Sequence, residues 1–180
     1  TELDEGLKKK NDNYLERCYN RGTAKEYTRY HRSVLEAKIY FGNNFVASIA
    51  TEPIENDAEY SAKKLSDEKI KQDCESKAFL RLTQKLKKAY PRLPICILAD
   101  SLYVSENVIN RCKEYNWDYI IRYKEGSASS IAQEYNAIPE KTKVGNAEFI
   151  NKVLYQDGTV NVLTYTETKI KKGKEITTTF

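Results

Sequence analysis

A chain of 180 residues with 40% hydrophobic and 31% charged residues, seven Gly and four Pro has the composition of one folded domain of ordinary size, which excludes a disordered or fibrous protein and points to a single core. No apolar run approaches the length of about 18 residues that a membrane span needs, so no transmembrane helix is expected. The net charge of +4, from 30 basic and 26 acidic residues, is compatible with a nucleic-acid partner without demanding one.

The absence of Met suggests a trimmed fragment of a longer protein, and the polar stretch Thr1–Asn20 with Lys8, Lys9 and Lys10 does not read as a signal peptide. Cys18, Cys74, Cys96 and Cys112 form no C-x-x-C pair, so neither a zinc site nor a disulfide framework is indicated. The last three sit among apolar neighbours, as buried thiols do in a reducing compartment. His31 is the one histidine, which leaves carboxylates to carry any catalysis.

Residues 1–30 show no clear periodicity and read as an irregular approach. Ser33–Phe41 and Phe45–Thr51 alternate as strands about the turn Gly42-Asn43-Asn44, an antiparallel hairpin that Pro53 ends or confines. The spacing Ile70, Cys74, Ala78, Leu82, Leu86 predicts an amphipathic helix over 67–89, capped by Ser66 and closed by Pro91. Pro94–Ala99 is a continuous apolar run, the pattern of a strand covered on both faces. A helix capped by Ser105 runs to Tyr115 with Val108, Ile109 and Cys112 inward, and Trp117–Tyr123 returns as a strand, which implies a parallel crossover. A short helix capped by Ser127 ends near Asn136. After Pro139, Phe149–Gln156 and Thr159–Thr166 form a hairpin about Asp157-Gly158, and a second turn at Lys171–Lys174 leads into another strand. The domains read as 1–140 and a β-rich insertion, 141–180, with seven Lys against four acids.

Asp100 leaves the run ICILA at its carboxyl end, where open α/β sheets border their ligand crevice. A carboxylate there suits a hard divalent cation, and equally suits the turn before the next helix. Glu52 and Glu55, at the exit of the second strand, could add a second carboxylate, although polar residues leaving a strand are common. Asp73 and Glu75 lie on the long helix, with Lys71 and Glu75 spaced as a surface ion pair. The basic groups 8–10, 85–92 and 169–174 read as phosphate contacts or as solvated faces.

The blocks VLEAKIYF (34–41), SIATEPIEN (48–56), KQDCESKAFLRLTQKLKKAYPRLPICILADSLY (71–103) and RCKEYNWDYIIRYKEGS (111–127) resemble the DDE transposases of bacterial insertion sequences with an insertion-sequence-4-type catalytic domain. The resemblance spans roughly 30–135. It implies an α/β, ribonuclease H-like mixed sheet flanked by helices, with a C-terminal β-hairpin insertion and a first strand lying before Thr1. It also implies DNA cleavage and strand transfer during transposition, in the bacterial cytoplasm. The partner would be double-stranded DNA, with a homodimer acting on paired ends. Three acids hold two Mg²⁺ or Mn²⁺ ions in that family; Asp100 in LADSLY matches the second, and the first and third would fall before Thr1 and after Phe180. The ions would bridge attacking and leaving oxygens during in-line displacement. One aspartate does not hold the pair, so the fragment alone is expected to be inactive. Arg122, Lys124, Lys171 and Lys172 are then the candidate phosphate contacts. Pro53 and Ser101 depart from the family, where an aromatic and a Gly are frequent. A nuclease of the same fold and a noncatalytic transposase-derived DNA-binding protein remain the alternatives.

Overall fold

The computed structural model describes residues 2–7, 13–20, 26–57, 60, 71–123, 126, 129–171 and 174–180. The chain divides into two compact units, Thr1–Leu93 and Pro94–Phe180, where composition pointed to one core.

In the first unit β1 (Glu2–Leu7), β2 (Leu15–Asn20), β3 (Glu26–Tyr40) and β4 (Val46–Ile54) form an antiparallel sheet in which β3 pairs with each of the others. Ser33 lies opposite both Glu2 and Ile54, and Tyr30 opposite both Leu7 and Glu16. β1 therefore lines one edge of β3, while β2 and β4 follow one another along the other edge. The irregular reading of residues 1–30 is corrected by these strands. Their local pattern is weak, but a fifteen-residue β3 offers two long edges, and ladder pairing overrides modest propensity.

The β3–β4 hairpin forms as expected. Gly42, Asn43 and Asn44 take φ of 86°, 47° and 62°, the left-handed region that Gly and Asn tolerate. Pro53 does not end β4 but sits within it, opposite Val34. It is tolerated because β4 has β3 as its one partner among the described residues, leaving an outer edge where a missing N–H breaks no ladder bond.

The helix expected over 67–89 is α1 (Glu75–Ala89); residues 71–74 are not helical, and Ser66 and Ile70 lie outside the described residues. Ala78, Phe79, Leu82 and Leu86 are buried as their spacing required, and Ala78 packs with Leu15, Ile54 and Leu35 of the sheet. Each large apolar side chain so buried contributes about 1.5–3 kcal/mol.

The second unit opens with β5 (Cys96–Ala99), a 3₁₀ turn (Ser101–Tyr103), α2 (Glu106–Tyr115) and β6 (Asp118–Ile121). β5 and β6 pair in parallel, so the crossover is present. Val108, Ile109 and Cys112 are buried on α2, and Ser105 Oγ accepts from Val108 N at 3.5 Å. Because that cap bond is long, Ser105→Ala is expected to cost about 0.5–1 kcal/mol, the low end for a cap, as read by urea denaturation. Helix α3 (Ser129–Ala137) precedes an antiparallel sheet of β7 (Thr142–Val144), β8 (Ala147–Tyr155), β9 (Gly158–Lys171) and β10 (Lys174–Thr179). Ser127, the expected cap of α3, lies outside the described residues. The β8–β9 turn is Gln156-Asp157, since Tyr155 pairs with Gly158, one residue earlier than the Asp-Gly signal placed it. Ile109, Ile131 and Tyr135 share a core with Val153, Val160 and Val162, so the hairpin region beyond residue 140 packs on α2 and α3 within one unit.

The ribonuclease H-like mixed sheet is not what this chain forms. The two four-stranded sheets are wholly antiparallel, and the parallel pair β5–β6 stands as a separate two-stranded sheet. The cause is visible in the apolar run 94–99, which was read as covered on both faces. It alternates instead: Cys96 and Leu98 are exposed while Ile97 and Ala99 are half-buried, and the neighbouring Ile120 is 67% exposed. Of the three cysteines expected inside, Cys112 alone is buried, whereas Cys74 and Cys96 are exposed. Burial, with Cys96 nearby, pushes the Cys112 thiol up to about 11. Among the described residues no helix is long and apolar enough to cross a membrane.

Candidate functional site

Asp100 stands at the carboxyl end of β5 and is exposed. Its backbone is extended, and Oδ1 accepts from Leu102 N at 2.9 Å, closing the 3₁₀ turn. The turn-capping role is thus real. It uses one carboxylate oxygen, and among the described residues Oδ2 has no partner. Ala99 pairs with Ile121, and Arg122 N donates to Ala99 O at 2.9 Å. The register therefore carries Arg122 to the position beside Asp100, at the same end of the parallel pair. The Arg122 guanidinium lies 5.2 Å from the centroid of the Phe180 ring, a cation–π contact that links this end to the last strand.

The other candidates distribute as follows. Lys171 is exposed at the end of β9, directly opposite Lys174 on β10. Lys124 and Lys172 lie outside the described residues. A free oxygen of a hard carboxylate fits a divalent cation as one ligand. Among the described residues no three His, Cys, Asp or Glu side chains assemble to hold a metal.

Glu52 and Glu55 belong to the first unit, and a different chemistry holds them. Glu52 is 5% exposed, with Oε1 on Arg81 Nε and Oε2 on Lys85 Nζ. Burial pushes its carboxyl up, but the hydrogen bonds and charges of Lys85 and Arg81 outweigh that and hold it below the ordinary 4.5. Oε1 is hydrogen-bonded to Arg81, and Oε2, which has no hydrogen bond of good geometry, is ion-paired with Lys85, so Glu52 is held as an anion by two cations. Arg81 reaches further: NH1 and NH2 lie 3.1 and 2.7 Å from the two oxygens of Asp73, and NH2 also donates to Pro53 O at 2.9 Å. The hydrogen bond to Asp73, joined by that to Glu52, raises the Arg81 pKa despite burial. Asp73 Oδ2 accepts from Glu55 N at 3.2 Å, and Asp73 N donates to Asn56 Oδ1 at 3.1 Å. These groups line a cleft of about 620 Å³, together with Lys71 and Lys77.

This knot escaped the sequence reading because Asp73 was placed on the helix. Eight residues of helix would put about 12 Å between Asp73 and Arg81. The non-helical 71–74 folds back, and the surface pair expected between Lys71 and Glu75 gives way to Lys77 Nζ donating to Lys71 O and Gln72 O, at 2.9 and 3.2 Å. The available signal was composition: a strand-end acid, Glu52, in the block 48–56, and an acid and an arginine, Asp73 and Arg81, in the block 71–103. No family model, curated protein or solved structure matches the chain.

Proposed function

We propose that the chain is the catalytic-domain segment of a DNA transposase, acting on double-stranded DNA by metal-dependent phosphoryl transfer, with Asp100 as one ligand of Mg²⁺ or Mn²⁺. The observation that carries this reading is the position of the LADSLY acid: an exposed carboxylate at the end of a parallel strand, with one oxygen unpartnered among the described residues and Arg122 at the adjacent register position. The ordered blocks of resemblance over 30–135 supply the reaction class. Bound metal would activate the attacking oxygen and stabilise the leaving one. The residues of this chain would hold one corner of the ion through Asp100 and place positive charge beside the phosphate through Arg122.

The test uses a polypeptide that contains this chain, incubated with end-bearing duplex and target DNA in Mg²⁺. Joining of freed 3′ ends to the target is the expected result. Hydrolysis without joining replaces the reading with a nuclease, and DNA retention with neither reaction replaces it with a noncatalytic DNA-binding protein.

A further inference from the structure

Asp100 and Arg122 carry opposite charges one step beyond the Ala99–Ile121 rung of the parallel pair. Exposure alternates along both strands: Cys96, Leu98 and Asp100 are exposed on one, Asp118, Ile120 and Arg122 on the other, with the residues between them half-buried. The two charged side chains therefore belong to the same open face. Cross-strand neighbours of opposite charge ordinarily attract and pair. Among the described residues these two do not: Asp100 Oδ1 accepts from Leu102 N, Oδ2 has no partner, and the Arg122 guanidinium makes neither an ion pair nor a hydrogen bond. What it meets instead is the Phe180 ring, 5.2 Å from the guanidinium carbon to the ring centroid.

That ring is anchored by the sheet. Phe180 N donates to Tyr165 O at 2.8 Å and Tyr165 N to Phe180 O at 2.9 Å, while Tyr165 pairs on its other edge with Ala147 of β8. An exposed cation–π contact and an exposed ion pair are of similar size, each a preference of about two- to fivefold, so a ring already in place suffices to draw the guanidinium from the carboxylate. A stacked guanidinium keeps its N–H donors free in its own plane. We propose that Phe180 is a positioning residue: by holding Arg122 off Asp100 it keeps the carboxylate open to a divalent cation and the guanidinium open to the oxyanion that the cation carries. Without the ring Arg122 would close on Asp100, as Arg81 and Lys85 close on Glu52. The inference rests on the reading of Asp100 as a metal ligand and adds what keeps that ligand from being neutralised by its neighbour.

The test titrates the chain with Mn²⁺ alone and follows paramagnetic broadening of the Leu102 amide by NMR, because that amide donates to Asp100. Phe180→Leu keeps apolar bulk and removes the π face, whereas Phe180→Tyr keeps both. Phe180→Leu should weaken Mn²⁺ binding about two- to fivefold, the preference the ring supplies, and Phe180→Tyr should bind as the wild type does. In an Arg122→Gln background Phe180→Leu should change nothing, since no guanidinium is left to close on the carboxylate. An equal loss in both backgrounds would make Phe180 a packing residue and overturn the proposal. The Arg122 side chain is also read without metal: in Phe180→Leu it should lose the ring-induced displacement of its proton shifts and gain nuclear Overhauser contacts to Asp100. Arg122 signals that do not move overturn the proposal whatever Mn²⁺ does. A wild-type Leu102 amide that Mn²⁺ leaves sharp overturns instead the metal reading of Asp100, and the Arg122 contacts still decide whether the ring holds the two charges apart.

Discussion

Asp100→Asn in the parent polypeptide is expected to lower metal-dependent DNA cleavage by about 10³-fold or more while leaving folding and DNA retention intact. The magnitude follows from rank. Disturbing the groups that merely orient a metal ligand costs about 10–100-fold, so removing the negative charge of a ligand costs more. Asparagine is the informative substitution because of what Asp100 does besides. Its Oδ1 accepts from Leu102 N to close the turn after β5, and an amide oxygen accepts the same bond. Thermal stability should therefore match the wild type. Asp100→Ala removes the turn bond as well and should add a stability loss of about 1 kcal/mol. If Asp100→Asn cuts DNA at the wild-type rate, the side chain is a turn cap and nothing more.

The elements most legible in the sequence were those whose own pattern decided them. Ser105, Val108, Ile109 and Cys112 define α2 by a cap and one buried stripe, and the structure buries those three. Gly42-Asn43-Asn44 announces a turn because few other residues accept positive φ. What was misread depended on partners distant in sequence. Glu2–Leu7 and Leu15–Asn20 became strands through β3, and nothing in their own alternation requires it. The run at 94–99 is apolar on both faces, and composition cannot tell a strand covered twice from one that leaves Leu98 63% exposed. The same limit applied to the candidate site. Asp100 stands out in the sequence because it ends an apolar strand, whereas the placement of Lys171 opposite Lys174 follows only from the register of β9 and β10. The knot around Arg81 required the chain before Cys74 to leave the helix, a tertiary event that periodicity does not encode.

Arg81→Ala should be among the most destabilising substitutions in the first unit. Removing one member of a buried ion pair costs about 3–5 kcal/mol, because the partner stays buried without its counter-charge. Here Glu52 remains buried, but the Arg81 side chain is 42% exposed and Lys85 still reaches Glu52, so solvent and the second cation reduce the loss to about 2–3 kcal/mol. Against a total of about 5–15 kcal/mol for a domain, that shift is readily seen as a fall in melting temperature of about 10 °C. Lysine at this position restores charge but not the fork that spans both oxygens of Asp73, so Arg81→Lys should recover only part. The pH dependence gives an independent check. The folded carboxyl of Glu52 titrates below its unfolded value of 4.5, so its contribution is fully present above that pH and is lost as pH falls through the lowered folded value. In Arg81→Ala that folded value moves back up, and the part of acid destabilisation due to Glu52 should shrink. An Arg81→Ala protein that melts within about 0.5 kcal/mol of the wild type, with the same acid limb, would show the knot to be an exposed surface pair of little energetic weight.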